Sequence, residues 1–219
     1  MSGSASRSSE RPLVAIYADE SCLGNGREGS NPGAAAGVIE YEHGSSRRLS
    51  RWDYWISEPA TTNNRMALRS VIEALVGISR KGSKFRVTFT SDSQYLVKGM
   101  NEWVYGWMSR GWKKKDGPLL NAELWMEAVE STRGHQVSWN WVRGHEGHPQ
   151  NEYANFLATR AARDQTSSNG IVPSSFDEWL AAQRAAGKVT VAPEAFPTSE
   201  GFRPARPYPT MTRPAPISE

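Results

Sequence analysis

The run LVAIYA (13–18) is continuously apolar and stops at Asp19, Glu20 and Ser21, which predicts a buried strand that delivers an acid at its C-terminal end. After the Gly-rich loop GNGREGSNPG, the segments AAAGVIEYE and RRLSRWDYWIS, separated by the turn-like HGSS, predict an antiparallel meander. From Thr62 the period changes. Leu68, Val71, Ile72 and Leu75 fall at i, i+3, i+4 and i+7, the stripe of a helix that runs to Lys81 and Gly82. FRVTFT (85–90) alternates as a strand does and hands over to a second acid, Asp92. Residues 93–132 read as short helices broken at Gly106, Gly111 and Gly117-Pro118, followed by the strand QVSWNWV (136–142). Trp139 and Trp141, at alternating positions of that strand, read as packing residues. A last helix starts near Pro149, since proline has no N–H to waste at the first helical position.

The pattern divides the chain into a Ser-rich, loose N-terminus (1–11), one domain (12–165) and an extension (166–219) that holds eight of the 13 prolines. Within the extension, Ser175 to Glu178 has the form of a capping box, and Phe176, Trp179 and Leu180 form the apolar face of one short helix near 175–187. That helix is a candidate for docking on the domain or on a partner. Beyond it the Pro-rich sequence lacks either period and reads as extended or disordered.

Composition changes this picture little. A length of 219 residues with 38% hydrophobic positions supplies one core, and a net charge of +3 means that basic character matters only where it is concentrated. The single cysteine, Cys22, excludes an internal disulfide. No apolar run approaches the roughly 18 residues needed to span a bilayer, and the polar start MSGSASRSSE lacks the apolar stretch of a signal peptide, so the expected location is the cytoplasm.

Two strands that each end in an Asp, flanking a helix, can aim carboxylates at one point, although a single such Asp is more often a turn or helix cap. After the last strand, the Gly-flanked loop VRGHEGHPQNE carries His145 and His148 directly into the final helix, where an imidazole can reach a reacting group. Between Trp103 and Lys115, three Trp and one Tyr alternate with Arg110, Lys113, Lys114 and Lys115. Aromatics interleaved with cations suit a surface that packs on sugars and neutralises phosphates.

Five segments in order, ADESCLGN, TTNNRMAL, TSDSQYL, NEWVYGWMSRGWKKKDGPLLNAELW and WVRGHEGHPQNEYANFLA, resemble the type 1 ribonuclease H family over residues 13–164. The resemblance implies a ribonuclease H-like α/β fold of mixed α+β character, a five-stranded mixed sheet flanked by helices. It implies a monomeric endoribonuclease that cuts the RNA strand of RNA/DNA hybrids using Mg2+, with Mn2+ as the alternative ion. By the same resemblance Asp19 and Asp92 are catalytic metal ligands, and His145 assists proton transfer or product release. Cys22, Asn25, Asn63, Asn64 and Gln94 lie along the RNA strand, Thr62 and Asn121 grip a phosphate of the DNA strand, and Trp103 belongs to the basic protrusion. The tail's partner is not implied.

Two positions depart from the family. Where it has a metal-binding Glu this chain has Ala67, and where it has an Asp this chain has Asn155, which still offers a metal a carbonyl oxygen but no charge. Glu20 and Glu152 are candidate substitutes. Neighbours on a strand point to opposite faces, so Glu20 needs a bend in the strand end to join Asp19. The alternative function is a hybrid-binding protein with impaired catalysis.

Overall fold

The computed structural model describes residues 10–24, 31–144 and 147–210. The Ser-rich start, Asn25, His145 and residues 211–219 therefore lie outside the described residues. Strands β1 (Leu13–Cys22), β2 (Gly33–His43) and β3 (Arg48–Glu58) form the antiparallel meander, and helix α1 (Asn63–Ile78) follows. Next come β4 (Arg86–Ser91), α2 (Gln94–Lys98), a π-helical turn (Gly99–Trp103), α3 (Val104–Ser109), the two-residue strands β5 (Lys113–Lys114) and β6 (Gly117–Pro118), and α4 (Ala122–Ser131). The chain continues through β7 (Gln136–Trp141), α5 (Pro149–Asp164), β8 (Val172–Pro173) and α6 (Phe176–Ala185).

The main sheet has the order β7-β4-β1-β2-β3-β8, with β1 parallel to β4 and β4 parallel to β7. It has six strands rather than the expected five. The sixth, β8, pairs Val172 with Asp53 and Pro173 with Trp52, and two residues ending in proline leave no alternation for a sequence to show.

The alternation of β1 sorts the two helical layers. Val14, Ile16 and Ala18 pack with Leu68, Val71 and Leu75 of α1 and with Trp125 and Val129 of α4. Ala15 and Tyr17 pack on the other face against Tyr153 and Leu157 of α5 and Phe176 and Leu180 of α6. The four stripe residues predicted for α1 are all buried, and Thr62 caps it, its hydroxyl accepting the Arg65 N–H at 3.3 Å.

The C-terminal segment travels a long way over the domain. Ser168 exchanges hydrogen bonds with Trp55 of β3, and Arg51 links Glu40 to Asp177 at the start of α6. Ser175 does not cap α6 with its side chain, so the predicted capping box is not formed. Ser174 accepts the Phe176 N–H instead, and Asp53 accepts that of Ser175. Further on, Glu194 and Gln150 exchange two hydrogen bonds, Ser199 and Phe202 meet Arg86, and Ala205 donates to Val137 of β7 at 2.8 Å.

Candidate active site

β1 and β4 run parallel, and their pairing stops at Ala18 and Ser91, so Asp19 and Asp92 stand one residue past the last rung of the ladder. The connections bring the starts of α1, α2 and α5 to the same end of the sheet, because each follows a strand that finishes there. Parallel strands and helix starts of this kind open a crevice beyond their carboxyl ends.

Carboxylate oxygens of Asp19, Glu20 and Asp92 lie within 4.8 Å of one another. Strand alternation argued against Glu20, yet it joins the other two. β1 stays paired to β2 as far as Cys22, but on the other side its ladder with β4 ends at Ala18, which leaves that flank of Glu20 open to Asp92 and Ser93. The Ser93 side chain hydrogen-bonds the Glu20 carboxylate, and the Glu20 N–H donates to Asp19 at 2.7 Å. By the alternation of β1, Glu20 stands on the α1 face with Ala18. Ala67 is fully buried in the core cluster that contains Ala18, and its methyl group offers a metal no ligand atom.

Three acids this close disfavour one another's ionisation. Burial, then the charge of Asp92, raises the Asp19 carboxyl to about 8, against the partial relief of the Glu20 N–H. Glu20 is likewise pushed well above the usual carboxylate range, first by burial and then by Asp19 and Asp92. A set of hard oxygen donors in this state fits divalent cations, whose charge reverses the penalty. Gly144 closes over it: a Cβ there would sit 2.3 Å from Asp92 Oδ2, so the backbone approaches as only glycine permits.

From α5, Asn155 reaches the same end of β1 through Thr159, whose hydroxyl contacts both Asn155 Oδ1 and Ser21 Oγ at 3.4 Å. Asn151 donates to the Ala18 carbonyl and fixes the start of that helix. Glu152 adds only a weak repulsion to Asp19, smaller than that of Asp92.

The other predicted positions differ in exposure and contacts. Cys22 is half-buried, its thiol pushed up to about 11 by burial and then by Glu20 and Glu58. Asn64 and Gln94 are exposed at the starts of α1 and α2. Asn63 Oδ1 and Asn121 Nδ2 are buried and have no hydrogen-bond partner among the described residues. Buried donors and acceptors are normally satisfied, so these two await a ligand or water. Asn121 also takes a left-handed conformation (φ 58°) at the head of α4 without capping it. In the protrusion Trp107 and Trp112 belong to the core, whereas Trp103 is 37% exposed. Trp139 packs as expected, but Trp141 does not. It is 45% exposed, with its indole N–H donating to the Asp92 carbonyl at 3.0 Å. Ser93, Gly144 and Trp141 were not marked by the sequence, since each acts through a contact with residues distant along the chain.

A family profile described as RNase H matches residues 11–163. Ribonuclease H of Pelobacter propionicus is 42% identical over 161 residues, 73% of this chain and 91% of that protein. Ribonuclease H of Cupriavidus necator is 46% identical over 149 residues, 67% of this chain and 93% of that protein. The crystal structure of LC9-RNase H1, described as a type 1 RNase H with the type 2 active-site motif, superposes with a TM-score of 0.86 at 55% identity, covering 94% of this chain and 98% of that one. With a family profile that covers most of the chain and relatives above 40% identity, the chain belongs to the ribonuclease H family.

Proposed function

We propose that the chain is a divalent-metal-dependent endoribonuclease that cleaves the RNA strand of RNA/DNA hybrids, with Glu20 supplying the charge that Ala67 lacks. The observation that carries this reading is the convergence of Asp19, Glu20 and Asp92 beyond the ends of two parallel strands. The relatives named above, each a ribonuclease H, support the reaction. Asp19, Glu20 and Asp92 would hold the metal, with Asn155 adding a neutral oxygen; Mg2+ is the expected ion and Mn2+ the alternative. Bound there, the metal would activate water and stabilise the leaving oxygen of an in-line phosphodiester cleavage.

The chain's own groups do the rest. Asp19 and Glu20 must shed their protons to act as ligands, and Ser93 and the Glu20 N–H hold their carboxylates in place. Asn63, Asn64, Gln94, Cys22 and Asn25 face the RNA strand in this reading, where amide groups can read 2′-hydroxyls. Thr62 and Asn121 take a DNA-strand phosphate at helix starts, supported by the orphaned Asn121 amide. His145 serves proton transfer or product release, and Trp103 packs on the hybrid.

The test is cleavage of a labelled hybrid in Mg2+ and in Mn2+ by the parent and by Asp92→Asn, Glu20→Gln and Glu20→Gln/Ala67→Glu. The first two changes are expected to lower kcat by more than the roughly 10–100-fold that outer-shell changes cost, and the double variant to regain part of the loss. Full activity in Glu20→Gln would sink the assignment of Glu20.

A further inference from the structure

The last described stretch of the C-terminal segment crosses the domain beside the turn that carries Trp103. We infer that Tyr208 and Arg206 are positioning residues for hybrid binding, holding the π-helical turn Gly99–Trp103 and the head of α3 in the shape that presents Trp103. The inference rests on the hybrid-binding reading above.

A π-helical turn is wide and costly, and it persists only where its surroundings hold it open. Its defining bond is present here, the Val104 N–H reaching the Gly99 carbonyl. On the core side the width is filled by Trp125, which lies so close to Gly99 that a Cβ there would stand 2.0 Å from the indole Cη2. The other supports come from β7 and the C-terminal segment. The Tyr208 hydroxyl donates to the Met100 carbonyl at 2.9 Å and accepts the Trp139 indole N–H at 3.0 Å. Asn101 donates to the Trp139 carbonyl at 3.2 Å.

One turn later, Tyr105 donates its hydroxyl to the Arg206 carbonyl. Its ring stacks on Tyr208 with centroids 5.2 Å apart, and the Arg206 guanidinium stands 3.9 Å from its centre. The bond from Ala205 N–H to Val137 fixes the register of the whole contact. Met100, Asn101 and Tyr105 are thus each held, and Trp103 lies between them with its ring against Tyr95 and Trp107. A turn ordered in advance spares the hybrid the cost of ordering it on binding, so loosening it weakens affinity before it touches chemistry.

The experiment uses the full chain and its Tyr208→Phe, Tyr208→Ala and Arg206→Ala variants. A labelled RNA/DNA hybrid is bound in EDTA by anisotropy and cleaved at saturating metal, well below the lowest Tm of the set. Tyr208→Ala is expected to raise Kd and KM by about tenfold, and Tyr208→Phe and Arg206→Ala by about threefold, the range of one or two net hydrogen bonds or a cation–π contact. In all three kcat stays within about twofold of the parent, while the metal-binding acids are untouched. Unchanged Kd and KM with a lowered Tm would reduce the contact to stability alone and overturn the inference, as would a fall in kcat at constant KM. Failure of the parent to bind the hybrid would instead overturn the hybrid-binding reading, and this inference with it.

Discussion

Asp19 gives the site a pH signature with a definite sign. Its carboxyl is raised to about 8, so in the metal-free fold it keeps a proton that the unfolded chain has already lost above about pH 4. Stability from this group therefore falls as pH rises through the window from about 4 to about 8. Glu20, Glu40 and Asp53 are raised too, chiefly by burial, and act in the same direction. Metal binding must displace the Asp19 proton, which makes its stabilising effect larger toward the alkaline end of the window. Melting temperatures of the metal-free protein should thus decline from pH 5 to 8, and the increment on adding Mg2+ should grow over the same range. Asp19→Asn should flatten the first slope; an unchanged slope in that variant would exclude Asp19 as its source.

At the scale of elements, Asp53 joins three of them. Placed on β3, it accepts the Tyr153 hydroxyl of α5 at 2.6 Å and the Ser175 N–H ahead of α6 at 3.2 Å. Tyr153→Phe keeps the ring in its contacts with Phe176 and Trp179 but removes a donor from a buried carboxylate. The expected cost is about 1–3 kcal/mol, read as a lower urea midpoint with unchanged slope.

Elements of this length were legible in the sequence where period and burial coincide. The stripe Leu68, Val71, Ile72 and Leu75 gave α1, and Pro149 marked the head of α5. What escaped depends on neighbours. The start of α6 is held by Ser174 and Asp53 rather than by Ser175 and Glu178, because Asp53, 122 positions away, takes the Ser175 N–H that the Glu178 side chain of a capping box would accept. Glu20 was a candidate substitute in the sequence, but alternation made its joining Asp19 depend on a bend in the strand end. What the alternation of a single strand does not show is that the ladder with β4 ends at Ala18, which leaves that flank of Glu20 open to Asp92 and Ser93. Trp141 shared its period with Trp139 but is exposed, and period alone does not show where along a strand the cover ends.

For the whole molecule, the C-terminal segment covers both margins of the sheet, β3 through Val172–Pro173 and β7 through Ala205. Exposed margins are templates for another chain's strand. Removal of residues 166–219 should therefore yield a domain that associates with rising concentration, seen by light scattering, while the full chain under the same conditions does not. Equal scattering from both would show that the segment has no such protective role.

The placement of Glu20 also bears on how the acid set comes together as the chain folds. Asp19 and Glu20 are covalent neighbours, so their proximity is present before any tertiary contact forms. Only Asp92 must be recruited from afar, and the parallel register of β1 with β4 delivers it in one closure. An acid on α1 would have needed a second, separate closure with its own entropic cost. Once those two strands have found each other, all three carboxyl groups of the cluster are in place.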